Sequence, residues 1–146
     1  MVQRKKKGHT LKGLVISLLS RHIGFLSRFK PGKTHDYTLL KNEFSPAKQW
    51  FRKFKVRLDL GYLGFGTEYV CKQYFLPLKK PRGRSLTDEQ RFTNQKQASE
   101  RVVVEHAIGG LKRYRILSDR LRMHDLDLYD SVLGVCAGLW NYAISA

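Results

Sequence analysis

The hydrophobic rhythm of the chain changes once, at the basic, breaker-rich segment Lys79-Lys-Pro-Arg-Gly-Arg84, and that change limits the folds open to it. Before it, apolar runs are short and bounded by basic or turn residues, which are the lengths of strands. After it, apolar residues recur at helical spacing. Residues 10–19 and 22–29 read as two strands joined by a tight connection near Ser20 and Arg21. Pro31-Gly32 breaks the chain, Thr34 is placed to cap a helix running to about Phe44, and a short basic helix is expected over Pro46–Lys53. Lys55 to Asp59 alternates polar and apolar side chains as a strand does, Gly61, Gly64 and Gly66 end it in a loop, and residues 73–78 read as a further strand. Beyond the linker, Thr87 and Gln90 make a capping box for a helix reaching roughly Leu117. A last helix over Leu126–Ile144 carries Val132, Val135, Leu139 and Tyr142 at helical spacing, and core packing is expected for it. The order β-β-α-β-β-α-α makes this an α/β chain.

Charge points to the partner. Lys and Arg number 28 against 12 Asp and Glu, a formal charge of 28 − 12 = +16, which suits a polyanion: nucleic acid first, an anionic membrane surface second. At 42% hydrophobic and 12% aromatic the chain can bury a core, which excludes wholesale disorder. Its 146 residues suit one domain or part of a larger one. Cys71 and Cys136 offer neither a disulfide framework nor a zinc signature, and the five histidines have no zinc-ligand spacing. The longest uncharged stretch, Ser131–Ala146, is shorter than a membrane span. The expectation is a soluble protein of the cytoplasm, associated with the nucleoid.

Two places could carry chemistry. Asp59 ends an apolar strand just before Gly61, where a carboxylate projects from a sheet edge and glycine allows a phosphate or metal to approach; a turn-forming Asp before Gly looks the same. Arg101, Glu105 and Lys112 are spaced four and seven residues apart, on one helical face beside the apolar Val102-Val-Val104, Ala107, Ile108 and Leu111. A Glu beside such a run has a cationic partner or binds a metal, and an ordinary Arg–Glu helix pair is the plainer alternative. Carboxylates from a strand end and a helix could hold two divalent cations about 4 Å apart for phosphodiester cleavage, with Lys112, Arg113 and Arg115 meeting the DNA backbone. Lys5-Lys-Lys7, Lys79, Lys80, Arg82, Arg84, Arg120 and Arg122 read as further phosphate contacts. No Walker loop, nucleophile elbow or catalytic cysteine arrangement is present.

The segment Arg101-Val-Val-Val-Glu-His-Ala-Ile-Gly-Gly-Leu-Lys-Arg-Tyr-Arg-Ile-Leu117 closely resembles the C-terminal signature of DDE transposases of bacterial insertion sequences, with Harbinger-like transposases as relatives. Asp59-Leu-Gly-Tyr62, Lys5-Lys-Lys-Gly-His-Thr-Leu-Lys12, Pro31-Gly-Lys-Thr-His-Asp36, the basic linker and Leu86-Thr-Asp-Glu-Gln-Arg-Phe-Thr-Asn94 are similar to its other motifs, in the family's order over residues 3 to 145. The resemblance implies a partial RNase H-like fold, a mixed sheet flanked by helices. It makes residues 1–146 the C-terminal portion of one catalytic domain, with basic linker 79–87 and C-terminal helices 88–146.

It also implies Asp59 and Glu105 as second and third catalytic acids holding magnesium or manganese, Arg101 and Lys112 as supporting or DNA-contacting residues, and His35-Asp36 as a helix start beside them. The family often has a tyrosine three residues before the arginine, where Ala98 stands here. Its first aspartate lies on a strand ahead of the Lys5–Lys7 segment, and no acid precedes Asp36. The resemblance thus implies a frameshifted second reading frame or a decayed copy, lacking the first strand and the first acid. An upstream-encoded part would complete it for cutting and joining DNA at element ends. The alternative is an inactive basic nucleic-acid-binding remnant or transposition inhibitor. A sheet short of its central strand exposes pairing edges, so the isolated chain is expected to be poorly soluble or to form homo-oligomers. Docking of the last helix to a membrane or partner is a third reading.

Overall fold

The structure is a computed structural model that describes residues 11–83, 85–118 and 125–146; Lys5–Lys7, Arg84, Arg120 and Arg122 lie outside them. It is mixed α/β, with small two-stranded ladders against several helices. β1 (Leu11–Lys12) pairs antiparallel with β4 (Lys30–Pro31). β2 (Val15–Ser17) and β3 (Ile23–Leu26) form an antiparallel hairpin, bulged between Ile16 and Ser17. β5 (Lys55–Arg57) and β6 (Gln73–Phe75) pair in parallel, Val56 opposite Tyr74. The helices are α1 (Asp36–Glu43), the short α2 (Phe65–Glu68), α3 (Asp88–Lys112), the short α4 (Arg115–Ser118) and α5 (Leu126–Ser145). A 3-10 turn over Leu60–Tyr62 links β5 to α2.

Two apolar clusters hold these pieces. Leu14, Leu40, Phe51, Phe65 and Tyr69 form one, between the hairpin, α1 and the β5–β6 pair. Ile23, Leu111, Leu133, Cys136 and Ala137 form the other, where α3 and α5 close over β3. Polar side chains of α5 also satisfy the backbone of the hairpin. The Asn141 side chain accepts from Ile23 N at 2.8 Å and donates to Ile23 O at 2.9 Å, filling the place of a neighbouring strand. Asp130 accepts from Phe29 N at 2.9 Å, and Trp140 Nε1 donates to Arg21 O at 3.0 Å.

Strand residues alternate the edge to which their backbone groups point. Leu58 N donates to Phe75 O and Lys72 N donates to Phe54 O, so the even positions of this strand face β6. Lys55 and Arg57 therefore face the opposite edge, where no described strand pairs with them. Likewise Ser27 N donates to Leu14 O and Leu18 N to His22 O. That turns the backbone of Val15 and Ser17 to the free side of β2, again with no described strand alongside.

Several expectations need correction. The α1 cap is His35, whose side chain accepts from Tyr37 N, because Thr34 is tied back through its own N–H to Pro31 O. Pro46–Lys53 is a chain of turns, with Lys48 N bonding Ser45 O, Arg52 N bonding Gln49 O and Phe54 N bonding Phe51 O. Phe51 is drawn into the first cluster there, and that tertiary demand overrides helix propensity. The long helix stops at Lys112: Arg113 N and Tyr114 N take i−3 carbonyls, and Tyr114 packs into the second cluster. The strand expected over 73–78 ends at Phe75. The last helix packs on the core as expected, but its buried face is Tyr129, Leu133, Cys136 and Ala137 with Val132 half-buried beside them, while Val135, Leu139 and Tyr142 are exposed, Tyr142 at 77%. Small residues at 136 and 137 allow a close approach that Val135 and Leu139 would not. Among the described residues no helix is long and apolar enough to cross a membrane.

Candidate functional site

Asp59 sits two residues past β5, where the strand gives way to the 3-10 turn. Its Oδ1 accepts from Leu60 N at 2.7 Å, capping that turn, and from Arg101 Nη1 at 2.8 Å. A second pair lies beside it: Arg57 Nε donates to Glu100 Oε2 at 2.6 Å, and the Arg57 guanidinium lies over the Phe75 ring, 4.9 Å from its centroid. Arg57 and Asp59 share one side of the strand because they are two residues apart. Glu100 and Arg101 are neighbours on α3, so opposite charges meet in register and lock the strand end to the helix. The Arg57 hydrogen bond holds the Glu100 carboxyl below its ordinary value, against a smaller opposing effect of burial.

A second acid approaches from α1. Asp36, in the first turn of α1, is ion-paired through Oδ1 to Lys12 Nζ at 3.0 Å, and Lys12 also donates to Thr34 O at 3.1 Å. Its other oxygen lies over Gly61, where a Cβ would meet it at 3.4 Å. Burial, with Asp36 and then Asp59 adding charge repulsion, pushes the Tyr62 hydroxyl up to about 12. Tyr62 thus stays a neutral phenol between two carboxylates.

Of the expected site residues, the structure brings Asp59 and Arg101 into contact. Arg101 answers Asp59 rather than Glu105, so the ordinary helix pair does not form. Arg101 Nε is buried with no hydrogen-bond partner among the described residues. Glu105 follows Arg101 by one helical turn, about 6 Å along the axis, and is exposed, with no ion-pair partner among the described residues. Lys112 is a further two turns on, about 16 Å from Arg101 by helical rise, so it does not join Asp59. Lys112 and Arg113 are exposed at the end of α3, and Arg115 is exposed at the start of α4. At the other end, Asn94 of α3 clamps Leu78, accepting from its N at 2.9 Å and donating to its O at 3.1 Å. That pins the linker where the exposed Lys79, Lys80 and Arg82 begin. α3 therefore carries cations towards both ends and the Asp59–Arg101 pair between them.

Asp59 and Glu105 carry oxygen donors of the kind that magnesium takes, and one or two carboxylates with substrate phosphates can hold it. Among the described residues, however, no three His, Cys, Asp or Glu side chains gather closely enough for a metal, and Arg101 engages Oδ1 of Asp59. Sequence reasoning did not anticipate Lys12 at Asp36, or the Arg57–Glu100 pair. The signal for the latter is the Arg-x-Asp on a strand matched by adjacent Glu-Arg on a helix.

The family model of the DDE superfamily endonucleases matches residues 1–141. A protein of Microchaete diplosiphon named "Probable transposase for insertion sequence element IS702" is 34% identical over 140 residues. The alignment covers 94% of this chain and 48% of that relative, so the chain spans about half its length. No solved structure matches the chain.

Proposed function

The chain belongs to the DDE superfamily endonucleases, and from that premise we propose that it is the C-terminal portion of a transposase catalytic domain that cuts and joins DNA at element ends. The observation that carries the site assignment is the seating of Asp59 at the strand end by Arg101, with Glu105 one turn further along the same helix. On this reading the β2–β3 hairpin and the parallel β5–β6 pair belong to one RNase H-like sheet. A further strand and a further acid come from polypeptide outside this chain. Asp59 and Glu105 would hold a divalent cation, magnesium or manganese, which when bound stabilises charge on the reacting phosphate. Arg101 positions Asp59. Lys112, Arg113, Arg115, Lys79, Lys80 and Arg82 hold the DNA backbone along α3, in keeping with the +16 charge.

The test is nicking of supercoiled DNA by this chain mixed with a polypeptide covering the half of the relative that it does not span. We expect magnesium-dependent nicking, with Asp59→Asn and Glu105→Gln each lowering the rate roughly a hundredfold or more, the order seen when one transition-state contact is removed. Nicking indifferent to both substitutions would break the site assignment. The +16 charge also suits a second reading, as a nucleic-acid-binding remnant or inhibitor. That reading requires salt-sensitive DNA binding that neither magnesium nor Glu105→Gln alters.

A further inference from the structure

The turns between α1 and β5 carry a composition that the reading above does not use. From Phe44 to Leu58 there are five cations, Lys48, Arg52, Lys53, Lys55 and Arg57, and no acid. Two large aromatics are exposed among them, Trp50 at 43% and Phe54 at 58%. Scattered exposed apolar side chains are ordinary, but Trp50 is held in place. Its Nε1 donates to Ser45 O at 3.1 Å, and the Phe44 ring meets it edge-on at 5.6 Å. Lys48 Nζ lies 5.3 Å from the ring centroid. The base of the loop is fixed by Phe51, which packs among Phe44, Phe65 and Tyr69. The Phe54 backbone is held by its own N–H to Phe51 O and by its carbonyl, which accepts from Lys72 N, and its ring is left exposed.

An indole held in place with its N–H satisfied, a second exposed ring four residues on and a run of cations in the same segment match one ligand chemistry. Unpaired nucleobases stack on such rings while the phosphates between them are neutralised. A duplex offers base edges in its grooves, and the faces of its bases are already stacked on one another, so only unpaired bases meet these rings without the cost of unstacking. We propose that this loop is a binding site for single-stranded DNA. Bases stack on Trp50 and Phe54, and Lys48, Arg52, Lys53 and Lys55 take the backbone. The inference deepens the transposase reading, since strands separated at a cut end supply such a ligand.

The test uses the full chain and a labelled mixed-sequence oligonucleotide, single-stranded and as a duplex, with binding followed by fluorescence anisotropy. We expect Phe54→Ala and Trp50→Leu to weaken single-strand binding roughly tenfold, the order of one lost base–aromatic stack. Duplex binding should stay within about twofold, and Phe54→Trp should restore the single-strand affinity. Photocrosslinking the wild-type chain to iodouracil-substituted single-stranded DNA should label the peptide holding Trp50 and Phe54, a readout independent of how the variants fold. Unchanged single-strand affinity in both variants, equal loss on both DNA forms, or crosslinks confined to the linker and the end of α3 would each overturn the loop site while leaving DNA as the partner. Failure of the wild-type chain to bind either form would remove the DNA reading itself, and this inference with it.

Discussion

Gly109 and Gly110 are adjacent in α3 and have opposite surroundings. A Cβ on Gly110 would overlap the Trp140 ring, whereas one on Gly109 would meet nothing within 4 Å. Gly110→Ala is therefore expected to destabilise the protein by about 1–3 kcal/mol, overpacking outweighing the helix-propensity gain. Gly109→Ala should stabilise by about 0.5–1 kcal/mol. Chemical denaturation of the two variants checks both signs. The Arg57–Glu100 pair makes a pH prediction. Glu100 is held below its ordinary 4.5 by the Arg57 hydrogen bond, so its stabilising share is present above that value and is lost as pH falls through the lowered one. The stability advantage of wild type over Glu100→Gln should thus be seen at neutral pH and vanish in acid. An advantage that persisted in strong acid would mean that the pair's geometry, and not its charge, matters. The Arg101–Asp59 pair was not legible at this scale. It joins residues 42 apart in sequence, and only the register of β5 against α3 brings them together.

At the scale of elements, α5 stabilises the hairpin with hydrogen bonds as well as with apolar area. Asn141→Ala would leave both Ile23 backbone groups without a partner in a part-buried place, at a cost of about 1–3 kcal/mol. Asn141→Asp keeps the acceptor, loses the donor and should fall between, as thermal unfolding of the three proteins can show. Elements with local signals were readable from sequence. The Thr87–Gln90 capping box starts α3 as expected, and the last helix lies within a residue of its expected bounds. Its buried face was not readable, because α5 is apolar on nearly every side and the choice between Leu139 and Ala137 depends on what stands opposite. The turns over Pro46–Lys53 went unread for the same reason. Their local propensity is helical, and the pull on Phe51 comes from residues far along the chain.

For the molecule as a whole, the sequence announced an α/β chain whose second half is the strongly helical one, and the structure agrees, with α3 and α5 its two long helices. Three separate two-stranded ladders were not foreseeable, since which strands pair is a long-range matter that periodicity does not encode. The candidate site divides in the same way: Glu105 and Arg101 on one helix and Asp36 at a helix start near them were legible, while the ion pair of Asp36 with Lys12 was not. The Asn141 clasp on Ile23 has a further consequence in time. The two residues are 118 apart. At the ~5–20 residues per second of translation, the Ile23 backbone waits about 6 to 24 s on the ribosome for its partner to be synthesised. Throughout that interval the hairpin is an unfinished piece of sheet on a nascent chain, its free backbone groups left to water until α5 emerges.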